Sequence, residues 1–274
     1  MSLRGKIEFV ELTDPGKVRE HNEDSVGSDQ ELGLVVVADG MGGYNAGEVA
    51  SEMAVRTIRE MVRSRLTHEK RNENDKESGL MRQTIALRDA VARANKVIYQ
   101  TSQSRTDCEG MGTTLVAALF YDNRMSVAHV GDSRVYRLRN NTLEQITLDH
   151  SLLQELVSRG FYSEEEAQRS MNKNYVTRAL GVEAAVEVEV REYDVEVDDV
   201  FLLCSDGLTD MMEDDDIHLT ISTFNANLDI VGQQLVKLAN DNGGRDNISV
   251  LLARVSKPFA APKTFFEKVF GIFG

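Results

Sequence analysis

The stretches "LGLVVVA" over 32–38 and "VFLLC" over 200–204 carry no polar side chain at all. A strand with one wet face alternates apolar and polar residues, so a continuous run demands cover on both faces. Each run must therefore lie inside a layered structure, with a helix layer or a second sheet on either side. Each also ends close to a carboxylate, Asp39 in "VVVADGMGGYNAGE" and Asp206 in "FLLCSD". The first is followed by a glycine-rich turn, the second by a Gly alone.

The rest of the chain supplies the layers. "KIEFVEL" alternates as an exposed edge strand does. Ala46, Ala50, Met53, Thr57 and Met61 recur at helical spacing and predict an amphipathic helix over 46–65. A second helix carries Leu80, Leu87, Val91, Ala94 and Ile98 on one stripe, after a charged loop "HEKRNENDKESG". The segments "GTTLVAALFYD", "RMSVAHVGDS" and "RVYRLRNNTLEQI", separated by the turn sequences "YDNR" and "RNNT", predict a meander of antiparallel hairpins. Residues 151–174 turn helical, with a capping box between Ser163 and Glu166, and interrupt the strands as a lid or flap would. Strands resume at "VEVEVREYDV" and "DVFLLCSD", a last helix carries Leu228, Val231, Leu235 and Leu238 and stops at Gly243 and Gly244, and "NISVLLARV" closes the fold. Helices in pairs before and after a strand-rich middle give an α+β chain, a β-sandwich with helices outside.

A length of 274 residues is enough for a large core in one domain or two small ones. The formal charge of -14, from 31 basic and 45 acidic side chains, repels nucleic acid and anionic lipid. Cys108 and Cys204 follow no metal-ligand spacing and read as free buried thiols in a reducing cytosol. The N-terminus lacks the apolar stretch of a signal peptide and no run is long enough to span a bilayer, so a cytoplasmic, soluble protein is expected.

Asp39 and Asp206 have company. Asp132 follows "VAHVG", Asp246 precedes "NISVLLA", and "REHNED" adds Glu23 and Asp24. A single Asp-Gly is an ordinary turn signal. Four carboxylates at the ends of four apolar segments are different: if those ends converge, the charges repel and burial raises their pKa values unless cations neutralise them. Oxygen ligands without a Cys or His cluster point to a hard ion, Mg or Mn, rather than zinc. Asp132 has a structural alternative, capping its own turn or pairing with Arg134.

At these residues the chain resembles the metal-dependent Ser/Thr protein phosphatases, the protein phosphatase 2C or PPM family, in its bacterial form. The resemblance runs in order through "VREHNED", "VVVADGMGG", "GMGTTLVAAL", "HVGDSRVYRL", "LDHS", "TRALG", "LLCSDGLTD" and "GGRDNISVLL". It implies a four-layer α-β-β-α sandwich of two mostly antiparallel sheets flanked by helix pairs, with the flap at 151–174. Its domain would be a phosphatase catalytic domain over 1–256, followed by a Phe-rich tail over 257–274. It also implies hydrolysis of phosphoserine and phosphothreonine in proteins by a water activated between two ions, Mn or Mg. By motif position Asp39 would bridge both metals and the Gly40 carbonyl would bind one. Asp206 and Asp246 would complete the first site and Glu23 would serve the second, while Asp24 would hold water and Asn247 orient the Asp246 loop. Asp132 with Asp206 would take a third, weaker ion, and Arg19 would grip the phosphoryl oxygens with its planar donors. Phosphoprotein substrates, an opposing Ser/Thr kinase and a monomeric state come with the resemblance.

Met41 departs from the animal members of the family, which carry a His there as the proposed acid for the leaving alcohol; a thioether cannot donate that proton. His21, His129 and His150 are the other candidates by sequence. Two further readings stay open: a partner-switching phosphatase for one regulatory protein, which would lack the arginine, and a silent phosphoprotein-binding module, which would have lost metal carboxylates. The tail holds five of the ten Phe residues, and covers a groove on the domain, docks a partner, or touches a membrane surface through 258–274.

Overall fold

The computed structural model describes residues 3–43, 46–68, 73–163 and 175–260. Among the described residues, eleven strands form two antiparallel sheets. In the first, β1 (Ile7–Asp14), β11 (Ile248–Val255), β10 (Val200–Cys204), β7 (Arg134–Arg139) and β8 (Thr142–Gln145) lie side by side in that order. In the second the order is β2 (Asp24–Asp29), β3 (Leu34–Met41), β5 (Leu115–Tyr121), β6 (Arg124–Val130) and β9 (Glu189–Asp194), with the short β4 (Gly112–Thr113) paired to the end of β3. Helices α1 (Ala46–His68) and α2 (Arg82–Ser104) cover the second sheet. Helices α5 (Asp214–Phe224) and α6 (Leu228–Asp241) cover the first, preceded by the single turn α4 (Asp206–Thr209). The short α3 (Leu152–Ser158) stands between β8 and β9 in sequence.

The continuous apolar runs follow from this layering. On β3, Val35 and Val37 face the gap between the sheets, while Leu34, Val36 and Ala38 face α1 and α2. On β10, Phe201 and Leu203 face the gap, while Val200, Leu202 and Cys204 face α5 and α6. Full burial of each such side chain contributes roughly 1.5–3 kcal/mol. Phe120 and Phe201 meet edge to face across the gap, centroids 5.5 Å apart, and lock the sheets together.

The β5–β6 and β7–β8 hairpins turn on Asp122–Asn123 and Asn140–Asn141, all four with positive φ, the conformation a two-residue hairpin loop requires. The expected meander is thus two hairpins, and the chain crosses from the second sheet to the first between β6 and β7 at Gly131 (φ 109°). The N-terminus of α2 is capped from another strand: Glu192 on β9 accepts from the Met81 amide at 2.7 Å and from the Thr84 hydroxyl.

Three elements differ from expectation. β2 has no apolar run; its polar sequence "DSVGSD" becomes a strand because it pairs with β3 along its whole length. Helix α5 lies in an acidic segment whose buried residues are only Ile217, Thr220 and Ile221, too few to show a stripe. Within 151–174 the described helix is seven residues long; residues 164–174, and with them the Glu166 half of the Ser163–Glu166 box, lie outside the described residues. Cys108 and Cys204 are buried and unpaired. Among the described residues no helix is long and apolar enough to cross a membrane. Of the Phe-rich tail, Phe259 is 1% exposed against the inter-sheet core and its amide donates to Asn123 Oδ1 at 2.6 Å; residues 261–274 lie outside the described ones.

Candidate metal centre

Strand pairing places the carboxylates. Asp24 opens β2 and sits opposite Asp39 near the end of β3 in the antiparallel register. In the other sheet Asp206 follows β10 and opens α4, and Asp246 stands two residues before β11, β10's neighbour. The ends of both sheets meet there: Asp39 feels the charges of Asp24, Asp206 and Asp132, and Asp206 those of Asp132, Asp210 and Asp246.

The backbone is held tightly enough to fix these groups. The Asn247 side-chain nitrogen donates to the carbonyls of Pro15 and His21, and its Oδ1 accepts from the Glu23 amide at 2.8 Å. One residue therefore ties the loop of Asp246 to the segment holding Arg19, Glu23 and Asp24. Ser51 on α1 donates to the Glu23 carbonyl at 2.6 Å, and the Gly40 amide donates to the same oxygen. A Cβ on Gly40 would come within 2.2 Å of the Gly47 carbonyl oxygen, and one on Gly207 within 2.0 Å of the Asn247 oxygen. Only glycine lets the strand ends approach this closely.

The electrostatics are unfavourable for the protein alone. Burial, and then the neighbouring carboxylates, hold Asp39 and Asp206 well above the ordinary carboxylate range. Burial raises Asp24 to about 7 against the pull of hydrogen bonds from Ser249 and Ser205, and raises Asp132 to about 6. Glu23 is raised by burial, with Arg19 opposing. Asp24 Oδ2 accepts from Ser205 Oγ at 2.8 Å, but its Oδ1 is buried without a partner. Clustered anionic oxygens and an orphaned acceptor, with one nearby guanidinium, fit hard divalent cations, whose ligands are carboxylate and carbonyl oxygens.

Arg19 reaches this cluster: its Nη2 donates to Asp246 Oδ2 at 2.6 Å, and the side chain is half exposed. Asp132 does not pair with Arg134, as the alternative reading had it. Arg134 binds Asp149 through Nε and Nη2 and gives Nη1 to Tyr136, because Asp149 presents both oxygens to the guanidinium fork.

Of the candidate histidines, His21 is exposed. His129 and His150 are buried and stacked, centroids 4.6 Å apart, and burial lowers both pKa values. His129 Nε2 meets the Leu148 carbonyl, and His150 Nδ1 accepts from the Gly131 amide at 3.1 Å. Together with Glu189 their donor atoms lie within 4.8 Å of one another. The Gly131 bond puts the His150 proton on Nε2, 3.5 Å from Glu189, so that nitrogen has no free lone pair for a metal. The pair ties the base of the flap to the Gly131 turn, and His150 Nε2, beside Glu189, is buried without a hydrogen-bond partner among the described residues.

Sequence reasoning does not single out Asp210, one helical turn after Asp206 in "SDGLTD" and close enough to raise its pKa. The i, i+4 spacing is the signal that points to it. Ser205 and Ser51 have no such signal, since an isolated serine carries no motif.

The protein phosphatase 2C family model matches residues 17–243. Asp246 lies just beyond that match and joins the cluster through Arg19 and Asn247. The chain is 41% identical to the serine/threonine phosphatase stp of Listeria monocytogenes over 246 residues, covering 88% of this chain and 92% of the relative. It superposes on the crystal structure of the Mycobacterium tuberculosis serine/threonine phosphatase PstP with a TM-score of 0.80 and 35% identity, over 92% of this chain and 99% of that one. A second PstP structure, a catalytic domain in complex with two manganese ions, superposes with a TM-score of 0.78 at 34% identity over the same shares of the two chains. The family match, the sequence identity and the structural similarity over most of the length agree, and the chain belongs to the protein phosphatase 2C family.

Proposed function

We propose that the chain hydrolyses phosphoserine and phosphothreonine in proteins with the help of two divalent cations, Mn or Mg. The observation that carries this is the convergence of Asp24, Asp39, Asp206 and Asp246 from two sheets on one point, where burial raises the pKa values of Asp24, Asp39 and Asp206. Asp39 would hold both ions and the Gly40 carbonyl one of them, Asp206 and Asp246 the first, Glu23 the second. Asp132 with Asp206 would take a third, weaker ion. The bound ions supply an activated water at neutral pH and positive charge for the phosphoryl oxygens.

The chain's own residues do the rest. Arg19, half exposed beside Asp246, orients the phosphoryl group through the N–H donors that Asp246 leaves open. Asp24, buried with one unpartnered oxygen, Oδ1, would hold a water beside the ions. Asn247 keeps Asp246 and Glu23 in register. The catalytic domain is read as 1–256, with a tail from 257 that begins by docking Phe259. A cytoplasmic setting, opposite a Ser/Thr kinase, suits the two buried free thiols.

Turnover of p-nitrophenyl phosphate and of a phosphopeptide panel, with EDTA and with added Mn, tests the reading. Asp39→Asn and Asp206→Asn are each expected to lower kcat by about a thousandfold or more with the fold retained. Wild-type turnover in either variant removes the metal assignment.

A further inference from the structure

Beside the carboxylate cluster lies a cavity of about 540 Å³ that shares Asp132 and Asp206 with it. One wall is acidic: Asp210 at the end of α4, then Glu213, Asp214 and Asp215 at the start of α5. The lining also includes α3 and the segment before it, with exposed Leu148 and half-buried Leu153 and Val157. The cation lining the cavity, Arg134, is already bound to Asp149 through two nitrogens. Among the described residues no cation pairs with Glu213 or Asp215. Asp214 accepts a neutral hydroxyl from Tyr136 at 2.8 Å.

Helix-dipole stabilisation accounts for acidic residues in the first turn of α5, and Asp216, which does not line the cavity, serves that end equally. It does not account for two other observations. Asp132, which lines the cavity, is 8% exposed and among the described residues is bonded only by its own backbone, so a buried carboxylate there favours positive charge, whether that of the weaker ion or of a side chain entering the cavity. And α3, "LLQELVS", buries none of its residues, which leaves an apolar helix face in the cavity lining. The acidic wall thus attracts positive charge and the helix face attracts aliphatic surface, which is what a Lys or Arg side chain offers in its head and its stem.

We propose that this cavity receives Lys or Arg side chains next to the phosphoresidue of a protein substrate, and so selects basic phosphorylation sites. The inference rests on the phosphatase reading above. The acidic wall repels a phosphate group, while Arg19, bonded to Asp246 and outside the cavity lining, attracts it, so the two charges of a basic phosphopeptide are sorted to different parts of the site and its orientation is fixed.

The test uses the full chain with Mn and two phosphothreonine peptides that differ only in carrying Arg or Glu at the positions flanking the phosphoresidue. Wild type is expected to favour the Arg peptide in kcat/KM by about tenfold at low salt, with the preference shrinking as salt rises. Glu213→Gln combined with Asp215→Asn is expected to remove most of that preference through KM and leave p-nitrophenyl phosphate turnover unchanged. Asp215→Lys is expected to turn the preference toward the Glu peptide. Equal kcat/KM for the two peptides in wild type, as for a cavity that holds only inorganic cations, overturns the proposal. So does a preference that survives the double substitution. Absence of turnover on p-nitrophenyl phosphate by wild type overturns the phosphatase reading and this proposal with it.

Discussion

Replacing Asp24 by Asn is expected to stabilise the metal-free protein while it impairs turnover. Burial raises the Asp24 pKa from 3.8 to about 7, so the folded chain binds more protons there than the unfolded chain. Its sign follows by linkage: the favourable contribution is present below pH 4 and is lost as pH rises through the folded value. A shift of that size corresponds to a penalty of about 4 kcal/mol at pH 8 and about 1.5 kcal/mol at pH 5. Asp39, Asp206 and Asp246 share the repulsion, so this is an upper bound for one residue. Asn removes the charge and keeps an oxygen for the Ser205 hydroxyl, and its new amide takes the buried position of Oδ1, which has no partner to lose. A net gain of about 2 kcal/mol at pH 8 moves the melting temperature of a domain this large up by roughly 4–8 °C. Differential scanning calorimetry in EDTA at pH 8 and pH 5, on wild type and Asp24→Asn, reads it directly. Added Mn is expected to raise the melting temperature of wild type more than that of the variant, since the ion relieves the same repulsion. A variant that melts at or below wild type at pH 8, with a difference independent of pH, would refute the argument that these buried charges are in conflict.

If Arg19 positions the phosphoryl group as proposed, Arg19→Ala raises KM for p-nitrophenyl phosphate about tenfold or more with a smaller change in kcat, the carboxylates staying in place; steady-state kinetics decides it, and an unchanged KM rejects the role. Phe259→Ala leaves a hole in the inter-sheet core where the ring is 1% exposed, and is expected to cost about 3 kcal/mol in urea unfolding. His129 and His150 act opposite in sign to the carboxylates. Burial lowers their pKa values, so their contribution is present above about pH 6.5 and is lost as pH falls through the folded values. His150→Gln, which keeps an acceptor for the Gly131 amide, is expected to flatten the acid limb of the stability profile between pH 7 and 5.

The layering was legible because continuous apolar runs admit one explanation. From Leu34 to Ala38, alternate residues lie in two different cores, and no one-sided sheet would tolerate such a sequence. The carboxylates at strand ends were legible for a related reason: a charge that directly follows a buried strand has to be held by something. What escaped was structure set by partners rather than by its own residues. β2 is polar and becomes a strand only because β3 offers it a full register, which is also what brings Asp24 opposite Asp39. Arg134 lies two residues from Asp132 in sequence yet bonds to Asp149, fifteen positions on. It opens β7, whose hairpin partner β8 carries the chain back toward Asp149, while Asp132 belongs to the turn at Gly131. The same logic bears on the acidic wall of α5. As a sequence, "MEDDDIH" is an N-terminal helix turn with its dipole satisfied, and nothing more. Only once α3 lines the same cavity with its leucines unburied, and Asp132 lines it too, do Glu213 and Asp215 become half of a site. Their substitution should therefore be silent toward a substrate too small to cross from the carboxylate cluster into that cavity.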